Sequence, residues 1–165
     1  MDTTLRWKLP LLFAGQAQKE VFHNEALGQV DVLLHGIAES AQAAMPPAAP
    51  QPGQCWIVAS PAGGAWTGQS GNIAWLSEGG WRFITPCQGI SLDVRDLGYR
   101  LTFDGEEWRA DRQRPDGYYV GGQKVVGHRR PGIAAAAGGN VVDIEARTII
   151  DSMLAALRTH GLIEE

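Results

Sequence analysis

Serine, histidine, cysteine and carboxylate side chains all occur in this chain of 165 residues, but none stands in the spacing that catalysis requires. No GxSxG turn is present to expose a nucleophilic serine. The two cysteines, Cys55 and Cys87, lack the CxxC spacing of a zinc site, which leaves only a disulfide between them open. No two of the four histidines are spaced to ligate a metal from one helical face; they are His23, His35, His128 and His160. We therefore predict no catalytic residue, no metal and no cofactor.

Three carboxylates cluster at the tip of a predicted hairpin. Asp104 precedes Gly105, and an Asp-Gly pair is typical of a tight turn, which explains this aspartate better than a role in glycoside hydrolysis does. The glutamates at positions 106 and 107 follow directly. A polysaccharide hydrolase module that uses Asp104 or Glu107 is kept as the alternative to a non-enzymatic protein.

Tryptophan gives the strongest indication of function, because the chain has six tryptophans against three tyrosines and four phenylalanines. Strand alternation places Trp81 on the face of Phe83 and Trp75 on the face of Ile73, which favours the core for both. Trp66, in the loop GGAWTGQSGN, is the least constrained, and we expect a binding patch around it. A surface tryptophan beside amides and arginine is a common means of stacking on a sugar or gripping a protein. The predicted ligand-binding residues are Trp66, Gln69, Asn72, Trp75 and Trp108.

The composition is that of a folded globular protein. Hydrophobic residues make up 44% and charged residues 19%, which is too apolar for a disordered chain. The net charge of −4 leaves no basic excess, so nucleic acid is not expected as a partner. No apolar run approaches the roughly 20 residues of a membrane span, and residues 1–10 hold no signal-peptide core. We expect synthesis in the cytoplasm and no membrane insertion.

The strongest helical pattern covers residues 14–40. Apolar residues recur there at spacings of three, four and three, which predicts one stripe formed by Leu27, Val30, Leu34 and Ile37. The stripe packs either on its own domain or, as in coiled coils, on copies of itself. We assign residues 1–41 to an N-terminal helical segment and the proline-rich residues 42–53 to a semi-rigid linker.

A second helix is predicted within residues 141–165. Asp143 is a suitable N-cap, and Gly161 supplies a C-terminal stop. Between them, a stripe at spacings of four and three is formed by Ala146, Ile150, Met153, Leu157 and His160. The predicted oligomerisation residues of the two helices are Leu27, Val30, Leu34, Ile37, Ile150, Met153 and Leu157.

Short alternating runs separated by glycine predict an antiparallel β domain over residues 54–110, as a small barrel or a sheet. Its predicted strands are 55–60, 72–76, 81–85, 91–95, 99–103 and 107–110. Two hairpins repeat at an offset of 27, AWLSEGGWRF and LTFDGEEWRA, so that Trp81 and Trp108 are equivalent, and a looser third copy ends at Trp66. Residues 111–140 are rich in glycine and proline and predict an extended segment, with strand-like runs at 118–120 and 123–126.

The order of several motifs resembles an uncharacterised domain family found in phage and in gene transfer agents of alphaproteobacteria. The motifs are LPLLFAGQAQKEVFHNEALGQVDVLL, PGQCWIV, GAWTGQSGNIAWLSEGGWRFITP and LTFDGEEW, which together cover about residues 9–109. The later YVGGQKVVGHRRPGIA and IEARTIIDSMLAALRTHGLI resemble C-terminal segments that accompany this domain in virion proteins. The resemblance implies a component of head spikes or tail fibres at the virion surface that attaches to host polysaccharide. It implies no catalytic residues.

Together these observations predict an α+β chain with an N-terminal helix, a central antiparallel β domain with tryptophan-containing hairpins, and a C-terminal helix. We expect a non-enzymatic tail fibre or head spike subunit, or its adaptor, made in the bacterial cytoplasm and displayed on the virion. Its expected partners are host surface polysaccharide, other virion proteins and copies of itself, with a trimer favoured. A capsid decoration protein without a receptor is a further alternative.

Overall fold

The computed structural model describes residues 3–12, 19–135, 137, 143–159 and 162–163. Its helices are α1 (Lys19–Leu33) and α2 (Ile144–Thr159). Its strands are β1 (Ile37–Ala38), β2 (Cys55–Ile57), β3 (Ile73–Ser77), β4 (Gly80–Ile84), β5 (Ser91–Val94), β6 (Tyr99–Phe103), β7 (Trp108–Ala110), β8 (Gln113–Arg114), β9 (Gly117–Val120) and β10 (Gln123–Val126). The chain divides into two compact units, unit 1 (Met1–Asp111) and unit 2 (Arg112–Glu165). Among the described helices, none has the length and apolar character needed to span a membrane.

Unit 1 contains two sheets in addition to α1. One has the strand order β2-β3-β4, and the other has the order β1-β5-β6-β7. All pairs in both sheets are antiparallel except the parallel pair of β1 with β5. The predicted α+β class, with one helix near each end and a mostly antiparallel centre, is confirmed. Of the two predicted forms of the β domain, the sheet is found, because neither set of strands closes into a barrel.

The central strand β3 is buried on both faces. Ile73 and Trp75 point into a larger core that both sheets share with α1, where Leu92 and Val32 join them. Ala74 points the opposite way, into a smaller core formed by Trp56, Val58 and Trp66. Alternation along one short strand therefore supplies side chains to two cores at once.

The segment before α1 is fixed to the end of that helix by a buried aspartate. The Asp31 carboxylate accepts hydrogen bonds from the Thr4 hydroxyl at 2.6 Å, the Arg6 amide at 2.7 Å and the Trp7 amide at 2.6 Å. The Arg6 guanidinium donates to the carbonyl oxygens of residues 31, 32 and 35, and the Trp7 indole donates to that of Leu34. These donors satisfy carbonyls that a helix leaves open at its C-terminus and so stabilise the end of α1 at Leu33.

The predicted apolar stripe extends too far, because α1 ends at Leu33 and both Leu34 and Ile37 lie beyond it. Of its two alternatives, packing on its own domain is not found at Val30 and Leu34, and packing on copies of the chain stays a prediction. Ile37 lies on β1, opposite Asp93 of β5, rather than on the helix. Val30 and Leu34 are exposed, whereas Val32 is buried. The face of α1 that packs on the core contains Gly28, where an added Cβ would lie 2.8 Å from the Trp75 ring. Because glycine has no side chain, an apolar pattern cannot identify it as a contact residue. Residues 14–18 of the predicted helix lie outside the described residues.

The hairpin repeat has a structural counterpart. In the β3–β4 hairpin Leu76 lies opposite Trp81, and in the β6–β7 hairpin Phe103 lies opposite Trp108, at the same offset of 27. The prediction that the two tryptophans hold equivalent positions is confirmed. The third copy is wrong, because Trp66 ends a short 3₁₀ turn and starts no return strand.

The proline-rich residues 42–53, predicted as a linker, are hydrogen-bonded into unit 1. The Ala59 amide donates to the Ala43 carbonyl, the Gly63 amide to the Ala44 carbonyl, and the Gly53 amide to the Leu76 carbonyl. Because Ala43 also packs on the smaller core, this segment covers one face of the β2-β3-β4 sheet.

Unit 2 contains a three-stranded sheet of order β10-β9-β8 and the helix α2. The two strand-like runs of the predicted extended segment are confirmed as β9 and β10. The Asp143 carboxylate accepts a hydrogen bond from the Ala146 amide at 2.8 Å, which confirms the predicted N-cap. The predicted stop at Gly161 and the stripe position at His160 lie outside the described residues.

Candidate functional site

An open cleft of about 400 Å³ lies beside the β6–β7 hairpin of unit 1. Phe103 and Trp108 line it, with their ring centroids 5.6 Å apart and their planes tilted by 58°. Both rings are half-buried, so each keeps surface toward the cleft. Apolar side chains of the larger core, Ile57 and Leu101, lie behind them.

Polar groups from three separate segments line the same cleft. They are the Gln42 amide from the proline-rich segment, the Ser60 hydroxyl after β2, and the carboxylates of Glu106 and Glu107 at the hairpin tip. All four side chains are exposed. No lysine or arginine lines the cleft among the described residues. Apolar rings with a few polar groups around them are typical of a small-ligand site.

The turn before β7 holds Trp108 in place. The Asp104 carboxylate accepts hydrogen bonds from the amides of Glu106 at 2.9 Å and Glu107 at 2.8 Å, and from the Arg109 guanidinium at 2.8 Å. The bond from Arg109, followed by those from the two amides, holds the pKa of Asp104 well below its usual range. The carboxylate therefore stays ionised and acts as a fixed acceptor of the turn.

A long-range hydrogen bond also fixes the Trp108 ring. Its indole N–H donates to the Gly71 carbonyl at 2.8 Å. The neighbouring turn is itself closed by the Asn72 side-chain amide, which donates to the Gln69 side-chain oxygen at 2.7 Å. Three predicted ligand-binding residues, Gln69, Asn72 and Trp108, thus lie near one another, but of the three only Trp108 lines the cleft.

The other two predicted ligand-binding residues lie in the cores. Trp66, expected at a binding patch, is 0% exposed, and its ring meets Trp56 at 6.0 Å and Trp81 at 5.1 Å between centroids. Trp75 is 6% exposed and packs against Gly28 of α1. Trp66 therefore has no exposed face for a ligand, and Trp75 is buried except for its edge on a second cleft beside α1. The expectation of a surface patch at these two positions is corrected.

Residues 23–109 match the family model described as a protein of unknown function, DUF2793. The match spans more than half of the 165 residues. The chain belongs to the DUF2793 family. No curated protein matches it.

The DUF2793 match begins within α1 and ends within β7, so it contains the whole aromatic side of the cleft. Unit 2 lies beyond the matched residues. The cleft is therefore a feature of the DUF2793 domain, whereas α2 and the β8–β10 sheet follow it in the chain.

Sequence reasoning missed four side chains of the cleft in the DUF2793 domain. Phe103 could have been found from the hairpin repeat, which places it opposite Trp108. The sequence marks Glu106 only as part of an acidic hairpin tip. Gln42 and Ser60 carry no local signal, because only the packing of loops far apart in sequence brings them to the cleft.

A second cleft of about 240 Å³ lies between α1, the N-terminal segment and the β3–β4 hairpin. Three of its polar side chains already have partners: Asp31 binds the N-terminal segment, Asn24 binds the backbone of Leu12, and Glu25 lies 3.4 Å from Arg82. With fewer groups left to bind a ligand, this cleft is the weaker candidate in the DUF2793 domain.

The cysteines of the DUF2793 domain are both free. Cys55 is buried, and burial raises the pKa of its thiol to about 12, so it remains a protonated donor to the Ile37 carbonyl at 3.1 Å. Cys87 is exposed. In the described part of the chain, no cluster of histidine, cysteine and carboxylate side chains could hold a metal ion.

Proposed function

We propose that the protein is a non-enzymatic surface component of a phage or gene-transfer-agent particle and that its Trp108 cleft binds host surface polysaccharide. In this proposal it serves as a tail fibre or head spike subunit, or as its adaptor, on the virion surface after synthesis in the bacterial cytoplasm. The observation that carries the binding function is the half-buried pair Phe103 and Trp108, with amide, hydroxyl and carboxylate groups around it.

A sugar ring presents apolar C–H faces and a rim of hydroxyl groups. The face of a sugar stacks on an aromatic ring, as Trp108 and Phe103 allow, while its hydroxyls need nearby donors and acceptors. The side chains of Gln42 and Ser60 each offer a hydrogen-bond donor and an acceptor, and the Glu106 carboxylate offers acceptors. The indole N–H of Trp108 is already bound to Gly71, so the ring orientation is set before a ligand arrives. A preorganised ring lowers the entropy cost of binding.

Binding is favoured over hydrolysis by the state of the carboxylates. Glycoside hydrolysis commonly needs two carboxyl groups, one of them a proton donor with a raised pKa. Asp104 has a lowered pKa and is occupied by the turn, and Glu107 pairs with Arg109. Asp104 is thus unsuited to be the proton donor of such a pair, which supports a non-enzymatic function of the cleft.

The particle context rests on the motifs that resemble phage and gene-transfer-agent proteins. Such particles display many copies of a surface protein, and several weak sites acting together raise avidity by orders of magnitude, about 10² to 10⁴. One weak site in each chain fits this use. We accordingly propose other virion proteins and further copies of this chain as partners, with a trimer favoured.

Titration of the full chain with oligosaccharides from host capsule, followed by calorimetry, tests the binding function. Because Trp108 forms the stacking surface, Trp108→Ala is expected to weaken binding at least tenfold, a loss of about 1.4 kcal/mol. Gln42→Ala, at an exposed position, is expected to weaken binding without unfolding the protein. The matched control is Trp7→Ala. Trp7 is also partly exposed, but its indole binds the carbonyl of Leu34 after α1, and it does not line the cleft.

Three outcomes would contradict the proposal. Equal binding by the wild type, Trp108→Ala and Gln42→Ala would remove the cleft as the site. Release of new reducing ends that stops on Asp104→Asn or Glu107→Gln would favour a hydrolase module. Binding to empty heads without binding to cells would favour a decoration protein.

A further inference from the structure

We infer that unit 2 is the assembly surface of this protein and that it is covered by unit 2 of further copies of the same chain. The inference deepens the proposed homo-oligomer by naming the surface, and it is independent of the polysaccharide cleft, which lies in unit 1. It rests on exposed apolar side chains in the sheet and in the helix of unit 2.

The sheet of unit 2 has no buried residue in any of its three strands. Every side chain of β10 is exposed, and alternate residues of β9 are exposed as well. The exposed apolar side chains of these two strands are Tyr118, Val120, Val125 and Val126. A sheet of two- to four-residue strands gains stability from an apolar face that is covered. Within the described part of unit 2, nothing buries this face.

The helix of unit 2 leaves a broad apolar face open. Leu154 is its one buried residue among those described, while Ile150 is 43% and Met153 is 60% exposed. Ile149 is also exposed and lies beside them around the helix, since successive residues turn by 100°. In a self-associating seam, Ile150 and Met153 take the two inward positions.

Exposed hydrophobic side chains are distributed unevenly between the two units. Nine of the sixteen exposed large hydrophobic side chains lie in unit 2, although it supplies fewer than half of the described residues. Its buried hydrophobic core among the described residues is only Leu154 and Ile163. A unit of this size with so small a core is not expected to be stable alone. Burial against another chain supplies the missing contacts.

A second copy fits this surface better than an unrelated partner. The spacing 146, 150, 153 and 157 is the four-three-four repeat with which identical helices pack on one another. Ile149 widens the apolar face beyond the two-position seam of a two-stranded coil, which favours three helices over two. Around a rotation axis, each copy then covers the open face of its neighbour.

Light scattering of the full chain after size-exclusion chromatography tests the inference. The wild type is expected to have the mass of three chains. The double variant Ile150→Asp/Met153→Asp is expected to have the mass of one chain, a threefold decrease, because charge on this face opposes its burial. The matched control is Val30→Asp/Leu34→Asp, which changes two comparably exposed positions in unit 1, one near the end of α1 and one directly after it, and is expected to keep the wild-type mass.

Folding of the variants is checked by the near-ultraviolet circular dichroism of tryptophan. All six tryptophans lie in unit 1, so an unchanged tryptophan signal shows that loss of mass reflects dissociation at unit 2 and not unfolding of the domain. A wild type with the mass of a single chain at every soluble concentration would overturn the inference. Dissociation by the α1 variant while the α2 variant stays assembled would overturn it too.

The same variants separate this inference from the proposed function. If the Ile150→Asp/Met153→Asp variant is monomeric and still binds oligosaccharide through Trp108, both the assembly surface and the binding cleft are supported. An assembled wild type that binds no oligosaccharide supports the assembly surface and contradicts the cleft. If instead the wild type is monomeric and another virion protein binds unit 2, the partner is heterologous and the inference fails.

Discussion

Replacing Trp66 with alanine is the most decisive test of how the tryptophans divide between core and surface. Trp66 is fully buried, and its ring packs on Trp56 and Trp81 at centroid distances of 6.0 Å and 5.1 Å. The sequence favours a binding patch around this residue, whereas the structure makes it the centre of the smaller core. The two readings predict opposite phenotypes.

The magnitude follows from the burial. Truncating a fully buried aromatic residue to alanine lowers the free energy of unfolding by about 3–5 kcal/mol. The ring pairs with Trp56 and Trp81 place the expected loss at about 4 kcal/mol. The indole N–H of Trp66 has no hydrogen-bond partner in the described part of the chain. Trp66→Phe, which keeps most of the ring volume, is therefore expected to cost only about 1 kcal/mol.

Urea unfolding followed by tryptophan fluorescence measures these losses. With a urea dependence of about 2 kcal/mol per molar, Trp66→Ala is expected to lower the unfolding midpoint by about 2 M. Oligosaccharide affinity of the folded variant is expected to stay unchanged, since the ring does not line the cleft. An unchanged midpoint together with lost affinity would refute the placement of Trp66 in the core.

Three further predictions concern the supports of the DUF2793 domain. Asp31→Ala is expected to lower the free energy of unfolding by about 3 kcal/mol in urea titration, because it leaves three donors of the N-terminal segment unpaired. Asp104→Asn is expected to flatten the fall in thermal midpoint in acid. Since Arg109 lowers the pKa of Asp104, this carboxylate stabilises the fold above its unfolded pKa, and that contribution is lost as the pH falls through the folded pKa. Gly36→Ala is expected to cost about 3 kcal/mol in urea titration, because its Cβ would lie 2.1 Å from a methyl carbon of the fully buried Leu92.

Each of these has a contrary result. An Asp31→Ala variant as stable as the wild type would mean that the N-terminal segment is not held by this carboxylate. If the thermal midpoints of the wild type and Asp104→Asn fall equally in acid, Asp104 does not contribute to the pH dependence of stability. A stabilised Gly36→Ala would show that the reduced freedom of the unfolded chain outweighs the contact with Leu92.

The local parts of the fold could be predicted from the sequence. Tyr99–Phe103 was predicted residue for residue, and the hairpin repeat gave the equivalence of Trp81 and Trp108, because turn residues and alternation act over a few positions. The cap at Asp143 follows from the same short-range chemistry. Unforeseen strands were short and had no periodicity to reveal them; they are β1 and β8.

The tertiary structure alone decided which apolar faces are buried and where a ligand can bind. Alternation in β3 marks Ile73 and Trp75 as one face but does not show that Ala74, on the other, enters a second core. Trp66 is buried because its ring packs on Trp56 of β2 and Trp81 of β4, and no local pattern around Trp66 encodes those contacts.

The candidate site shows the same division. The sequence by itself determined the hairpin that carries Trp108 and Phe103, since its turn is built from Asp104 and the residues that follow it. Only the tertiary structure brought Gln42 and Ser60 to that hairpin. Side-chain pattern specifies contacts between near neighbours in the chain, whereas a cleft is formed where distant segments pack, and their packing is settled by the burial of the whole core.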